Sequence, residues 1–156
     1  MKISKLSFEK SFGAVIFRRN DEGKIEFLLL KHRRGHWDFP RGHKENDESD
    51  EETVRREVQE ETGITDIKIM PDFLAKNWFW YVARGGEKEE RLRNERGTVV
   101  IKRVYMRLAQ TETKEVELLS PREQTDFAWE LYEDAVKKVT YREAQKMLEK
   151  AYKFLI

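Results

Sequence analysis

A chain of 156 residues, 38% of them hydrophobic, is long enough for one packed domain over residues 1–156 and contains no apolar run near the roughly 18 residues of a membrane span. Its 31 basic and 30 acidic side chains nearly cancel, which argues against the broad positive field of a stable nucleic-acid partner. The absence of cysteine excludes disulfides, thiolate metal sites and a cysteine nucleophile, so any metal must sit on oxygen or imidazole.

The first residues, Met1 to Phe8, carry lysines but no apolar stretch of the signal type, so no membrane partner and a cytoplasmic location are expected. Next, two β-type runs flank the turn sequence Asn20-Asp21-Glu22-Gly23 and predict a hairpin that ends near His32. A polar loop with Gly35, Pro40 and Gly42 follows. Ser49 stands three residues before Glu52, a capping-box spacing that predicts a helix starting there and stopping near Gly63. Residues 66–83 and 98–109 read as strands, with the charged, glycine-flanked 84–97 between them as a long hairpin loop or insertion. A second capping box, Thr140 with Glu143, opens a closing helix with Ala144, Met147, Leu148, Ala151 and Leu155 at helical spacing. Strands before, between and after two helices predict an α+β fold, an α/β/α sandwich in which helices cover a mixed sheet.

The first helix carries the chemistry. At about 100° per residue, Glu57, Glu60 and Glu61 share roughly a third of its circumference, and Val54 and Val58 fall beside them to seat the helix on the sheet. Like charges four residues apart destabilise an isolated helix, and a hard divalent cation relieves them. Oxygen-only ligation is the chemistry of Mg²⁺ or Mn²⁺, an ion that also takes substrate phosphates, which points to a phosphate ester or anhydride as the small-molecule substrate.

Gly42, five residues, Glu48, seven residues and then Arg56-Glu57-Val58-Gln59-Glu60-Glu61-Thr62-Gly63-Ile64 resemble the Nudix box at each defining position. That resemblance implies the Nudix fold and a metal-dependent hydrolase. It makes Glu57, Glu60, Glu61 and the carbonyl of Gly42 metal ligands, with Glu48 and Arg56 bracing the carboxylates. Water would attack phosphorus and a carboxylate would take its proton.

Beyond the box the chain resembles the asymmetrical diadenosine tetraphosphate hydrolases through Trp37, Pro40-Arg41-Gly42-His43, Tyr81-Val82-Ala83-Arg84, Lys102, Ser120, Glu123, Phe127 and Trp129. The resemblance implies that Arg41, His43 and Lys102 meet phosphates, that Tyr81 stacks on adenine, and that Glu123 binds a further metal or acts as general base. Diadenosine tetraphosphate would give ATP and AMP. Two departures stand out: Gln124 replaces a common histidine, and the segment from Gly85 to Gly97 is longer than expected. The rival reading within the family is a pyrophosphohydrolase of another nucleotide or of RNA 5′ ends, which the basic run Lys31-His32-Arg33-Arg34 permits. From another class, the rival is a nucleotide-sensing module without catalysis.

Overall fold

The computed structural model describes residues 5–156; the part of the amino-terminal reading that falls on Met1 to Ser4 lies outside the described residues. From Ser11 to Phe17 every residue of strand β1 (Leu6–Arg19) is buried, because helices cover both faces of the sheet there and alternation gives way to a continuous apolar run. The foreseen turn at Asn20 joins β1 to the antiparallel β2 (Ile25–His32), with the Asn20 side-chain carbonyl accepting from the Glu22 and Lys24 N–H groups.

In the polar loop, two short strands, β3 (Trp37–Asp38) and β4 (Arg41–Gly42), add to β2 and β1 respectively. Helix α1 (Asp50–Thr62) has the predicted capping box, the Ser49 hydroxyl accepting from the Glu52 N–H while Glu52 returns to Ser49, and stops at Gly63 in the left-handed region, φ 75°. Next come β5 (Lys68–Ile69) and β6 (Ala75–Val82). The single strand expected over 66–83 is broken by a turn at Pro71-Asp72, where proline has no N–H for a ladder.

Segment 84–97 does join a hairpin, since β6 lies antiparallel to β7 (Val99–Gln110), but it is not a loop. It holds helix α2 (Gly85–Arg93), which opens on two glycines and continues in Glu, Lys, Arg and Leu, all good helix formers. Arg91 anchors α2 by reaching Glu9 of β1 with two nitrogens, at 2.8 and 3.2 Å. Besides β3, β4 and α2, two further elements were not foreseen: β8 (Gln124–Leu131), which pairs with β2, and the short α3 (Tyr132–Lys138). Among the described residues four helices replace the expected two. The closing helix, α4 (Arg142–Leu155), buries Ala144, Met147, Leu148 and Ala151 as predicted, but the second capping box does not form. The Thr140 hydroxyl accepts instead from the Trp37 N–H at 2.8 Å, and Tyr141 stands at the cap without a side-chain bond.

β1 and β7 run parallel over twelve register pairs from Leu6 with Val99 to Phe17 with Gln110, and the other pairings are antiparallel, so the sheet is mixed. One core lies between it and α3 with α4, around Val15, Phe17, Leu29, Met106 and Leu148. The other lies under α1, around Ala14, Ile16, Leu28, Val54 and Val58. The architecture is the expected α/β/α sandwich.

Candidate active site

Two short pairings set the floor of the site. β4 is hydrogen-bonded to β1 with Phe12 opposite Gly42 and Gly13 opposite Arg41, which carries Arg41, Gly42 and His43 across the amino end of the central strand. α1 lies against them with Val54 and Val58 buried in the core. The two elements approach so closely that a Cβ at Gly42 would run into the carboxyl of Glu57, a physical reason for glycine there.

Arg56 ties the acidic helix to its approach loop. Its guanidinium donates to Glu48 at 2.7 and 3.0 Å, to the His43 carbonyl at 2.7 Å, to Glu57 at 2.9 Å and to Glu60 at 3.1 Å. Arg56, and then the Glu45 backbone N–H, hold the Glu48 carboxyl down at about 2. The sequence reading gave Glu48 and Arg56 this bracing part, and the structure brings them together.

Glu61 is 5% exposed, and its two oxygens accept from the Arg41 backbone N–H at 3.1 Å and from the Gln124 amide at 3.1 Å. Burial first, then the neighbouring carboxylates of Glu57 and Glu123, push its pKa up to about 8. Burial also raises Glu57 above the usual carboxylate range. Gln124, where a histidine was the common choice in the resemblance, is buried and its Oε1 has no hydrogen-bond partner.

Basic side chains share the cleft with these carboxylates. Arg41, His43 and Lys102 line the same cleft of about 440 Å³ as Gly42, Glu57, Glu60, Glu61 and Glu123. Burial and the charge of Lys102 depress His43, while its Nδ1 lies 2.9 Å from the Lys10 carbonyl. Lys102 falls below the ordinary lysine range through burial, with Arg41 adding to the effect and Glu9 opposing it.

Tyr81 is absent from that lining. Its hydroxyl donates to Glu87 of α2 at 2.7 Å, and Lys102 Nζ lies 6.0 Å from its ring centroid. Trp37 and Phe127 pack against the cores, and Trp129 does so while donating to the Lys114 carbonyl. Sequence reasoning missed Ser11 and Glu45, which also line the cleft, and Glu9, whose carboxyl Arg91 and Arg96 hold down at about 2 against the effect of burial. No motif marks these residues; only the pairing of β1 with β7, which sets Glu9 opposite Lys102, reveals them. A second pocket, of about 430 Å³, shares Arg41 with the cleft and is lined by His36, Phe79, Tyr141 and Met147.

As they stand, no three acidic or imidazole side chains among the described residues enclose a common point; Glu57 and Glu60 turn to Arg56, and Glu61 to Gln124 and Arg41. The donor set nonetheless fits a hard cation. The buried Glu61 and half-buried Glu57, both with raised pKa values, and the unpaired Gln124 oxygen form an oxygen-only cluster that a cation would relieve.

The NUDIX domain family matches residues 8–151. Among known proteins, the asymmetrical bis(5′-nucleosyl)-tetraphosphatase of Mus musculus is 32% identical over 155 residues, covering 94% of this chain and 95% of that protein. The RNA pyrophosphohydrolase of Bartonella tribocorum is 34% identical over 89 residues, covering 52% of this chain and 49% of that protein. A crystal structure of the C. elegans Ap4A hydrolase binary complex is 29% identical, with a TM-score of 0.68 over 94% of this chain and 97% of that one.

Proposed function

The chain belongs to the NUDIX domain family, and from that premise we propose that it cuts diadenosine tetraphosphate asymmetrically into ATP and AMP, with Mg²⁺ or Mn²⁺ as the divalent cofactor. It is a Nudix hydrolase, in a family that generally uses divalent metal. The observation that carries the substrate reading is the meeting of both charges in one cleft: carboxylates on α1 and at Glu123 share its lining with Arg41, His43 and Lys102. Carboxylates alone suit an ion; basic side chains in the same lining suit an ion that arrives with several phosphates.

Glu57, Glu60, Glu61 and the Gly42 carbonyl would hold the metal. When bound, such an ion lowers the pKa of water and offsets charge developing on phosphoryl oxygens. Arg56 acts through other residues: anchored on Glu48 and the His43 carbonyl, it fixes the direction from which Glu57 presents its carboxylate. Arg41, His43 and Lys102 fix the register of the phosphate chain, so that one phosphorus lies beside the carboxylates and the products are unequal. Glu57, Glu61 and Glu123 are the carboxylates placed to take the proton of the attacking water.

For the nucleoside, Tyr81 remains a stacking surface beside Lys102, and the pocket of His36, Phe79, Tyr141 and Met147 offers an apolar alternative continuous with Arg41. Likeness over nearly the whole length supports the dinucleotide reading over the RNA 5′-end rival, whose relative matches half the chain. A cysteine-free chain acting on a nucleotide supports a cytoplasmic setting.

The test is hydrolysis of diadenosine tetraphosphate at fixed Mg²⁺ in ¹⁸O-enriched water, with products separated. ATP and AMP, with label in one of them only, are the expected result. Two molecules of ADP, or far faster turnover of a mononucleotide or a 5′-triphosphorylated RNA, would overturn it.

A further inference from the structure

α1 covers the sheet only as far as Phe12 of β1, and beyond that point, among the described residues, one face of three adjacent strands has no helix over it. The register sets Phe8, Ile101 and Trp80 in one row and Lys10, Arg103 and Trp78 in the next. Phe8 is 71%, Trp78 65% and Trp80 62% exposed, and Lys10 and Arg103 are exposed beside them. The flanking rows run through Leu6, Val99 and Val82 on one side and Phe12, Tyr105 and Lys76 on the other, so no acidic residue stands on this face. In a chain whose 31 basic and 30 acidic residues nearly cancel, that is a local bias.

We propose that this uncovered face of β1, β7 and β6 is a docking platform for single-stranded RNA. Aromatic faces accept any base by stacking, and interleaved lysine and arginine meet the backbone. Trp78 and Trp80 project from the same side of one strand two residues apart, about 7 Å, a spacing that serves successive bases drawn out of their stack. The platform also leads somewhere. A groove of about 660 Å³ runs along Phe8, Lys10, Phe12 and Lys44 to His43, with Glu9, held by Arg91 and Arg96, on its wall, and His43 is shared with the cleft. A strand on the platform thus has its path open to the cleft, and RNA with a phosphoanhydride at its 5′ end is the polynucleotide with a group for it. Only this direction of travel rests on the proposed function; binding to the platform does not.

Two other occupants of an exposed apolar face fit less well, one on charge and one on shape. A twofold dimer would set Lys10 and Arg103 near their own copies with no acid between them. An anionic membrane would suit the charge but not the continuity of the groove with an enclosed cleft.

The experiment titrates the metal-free protein with a short oligoadenylate bearing a 5′-hydroxyl and follows tryptophan fluorescence. Stacking on Trp78 and Trp80 quenches it, and added salt reverses the effect. Joint replacement Trp78→Ala and Trp80→Ala weakens binding at least about tenfold, and Lys10→Ala with Arg103→Ala flattens the salt dependence. Melting temperature certifies the fold of each variant, so the result stands apart from that of the hydrolysis assay, in which these variants keep the parent rate on diadenosine tetraphosphate. Absence of quenching at millimolar oligonucleotide, or equal binding after the tryptophans are removed, overturns the proposal. So does a dimer in sedimentation that the tryptophan replacements dissociate, or quenching by anionic vesicles but not by RNA.

Discussion

α1 with 13 residues and α4 with 14 press on the sheet from opposite faces, and they are held there by different means. α4 has a full apolar stripe, Ala144, Met147, Leu148 and Ala151, and begins without a side-chain cap. α1 buries only Val54 and Val58 among its apolar residues, and its remaining inward surface goes to Glu61, Glu57 and two threonines. Its ends are correspondingly well tied, by the Ser49–Glu52 box at one and the left-handed Gly63 at the other, with Arg56 clasping the loop between. A helix that must present repelling carboxylates cannot rely on packing for its position and takes it from polar ties at its termini.

The comparison breaks most visibly at Glu61. Glu61→Gln is expected to lower turnover of diadenosine tetraphosphate by about 10²–10³-fold, the scale of removing one charge-stabilising group from an active site. The variant stays folded, since an amide at position 61 can still pair with Arg41 N–H, and Gln124 can turn its unpaired oxygen toward the new N–H group. Parent-like kcat in a metal-saturated assay would remove Glu61 from the site.

On α4 the expected result is the reverse. Leu148→Ala opens a cavity in a fully buried position and should cost about 3 kcal/mol in urea unfolding, with the rate per folded molecule unchanged. A loss of rate at full folding would show that the two faces are coupled.

A smaller effect separates the helices by pH. The native state keeps the Glu61 proton up to about pH 8, whereas an unfolded chain releases it near its ordinary value of 4.5. Folding therefore takes up a proton between those values, and this group's contribution to stability declines as pH rises from 4.5 to 8. In metal-free solution Glu61→Gln should gain stability relative to the parent across that rise, and Mg²⁺ should erase the gain by stabilising the parent alone. Parallel stability curves for the two proteins would refute the strained carboxylate.

The smallest expected change is at the cap. Ser49→Ala should cost about 1 kcal/mol in the same unfolding measurement, because the Glu52 N–H loses its acceptor. Thr140→Ala, which removes no helix cap, should leave the start of α4 unshifted in amide-exchange protection.

What could be read in the sequence follows the same division. α1 was legible to the residue because its signals are local: Ser49 and Glu52 open it, Gly63 ends it, and the glutamate spacing gives its face. At Thr140 the same local signal misled, since Trp37, distant in sequence, had already taken the hydroxyl. α2 was hidden in a charged run whose helical state depends on Glu9 of β1 receiving Arg91. β8 shows little alternation and is recognised only as the partner of β2. In the site, the box residues carried their own spacing, whereas Gln124 beneath Glu61 and Ser11 beside Lys102 are neighbours made by the sheet.

The parallel ladder between β1 and β7 also orders events in time. Leu6 must find Val99 and Phe17 must find Gln110, so the longest pairing in the sheet joins the first strand to one that leaves the ribosome after α1, β5 and β6. Loops that long close slowly relative to a hairpin or a capped helix. A nascent chain can therefore wind α1 and fold β1 against β2 while it still lacks the strand that supplies Lys102. The glutamates exist early as a helix beside Arg41 and His43 but without Lys102, and the full set of cations that grips a polyphosphate is complete only late, when β7 docks along β1.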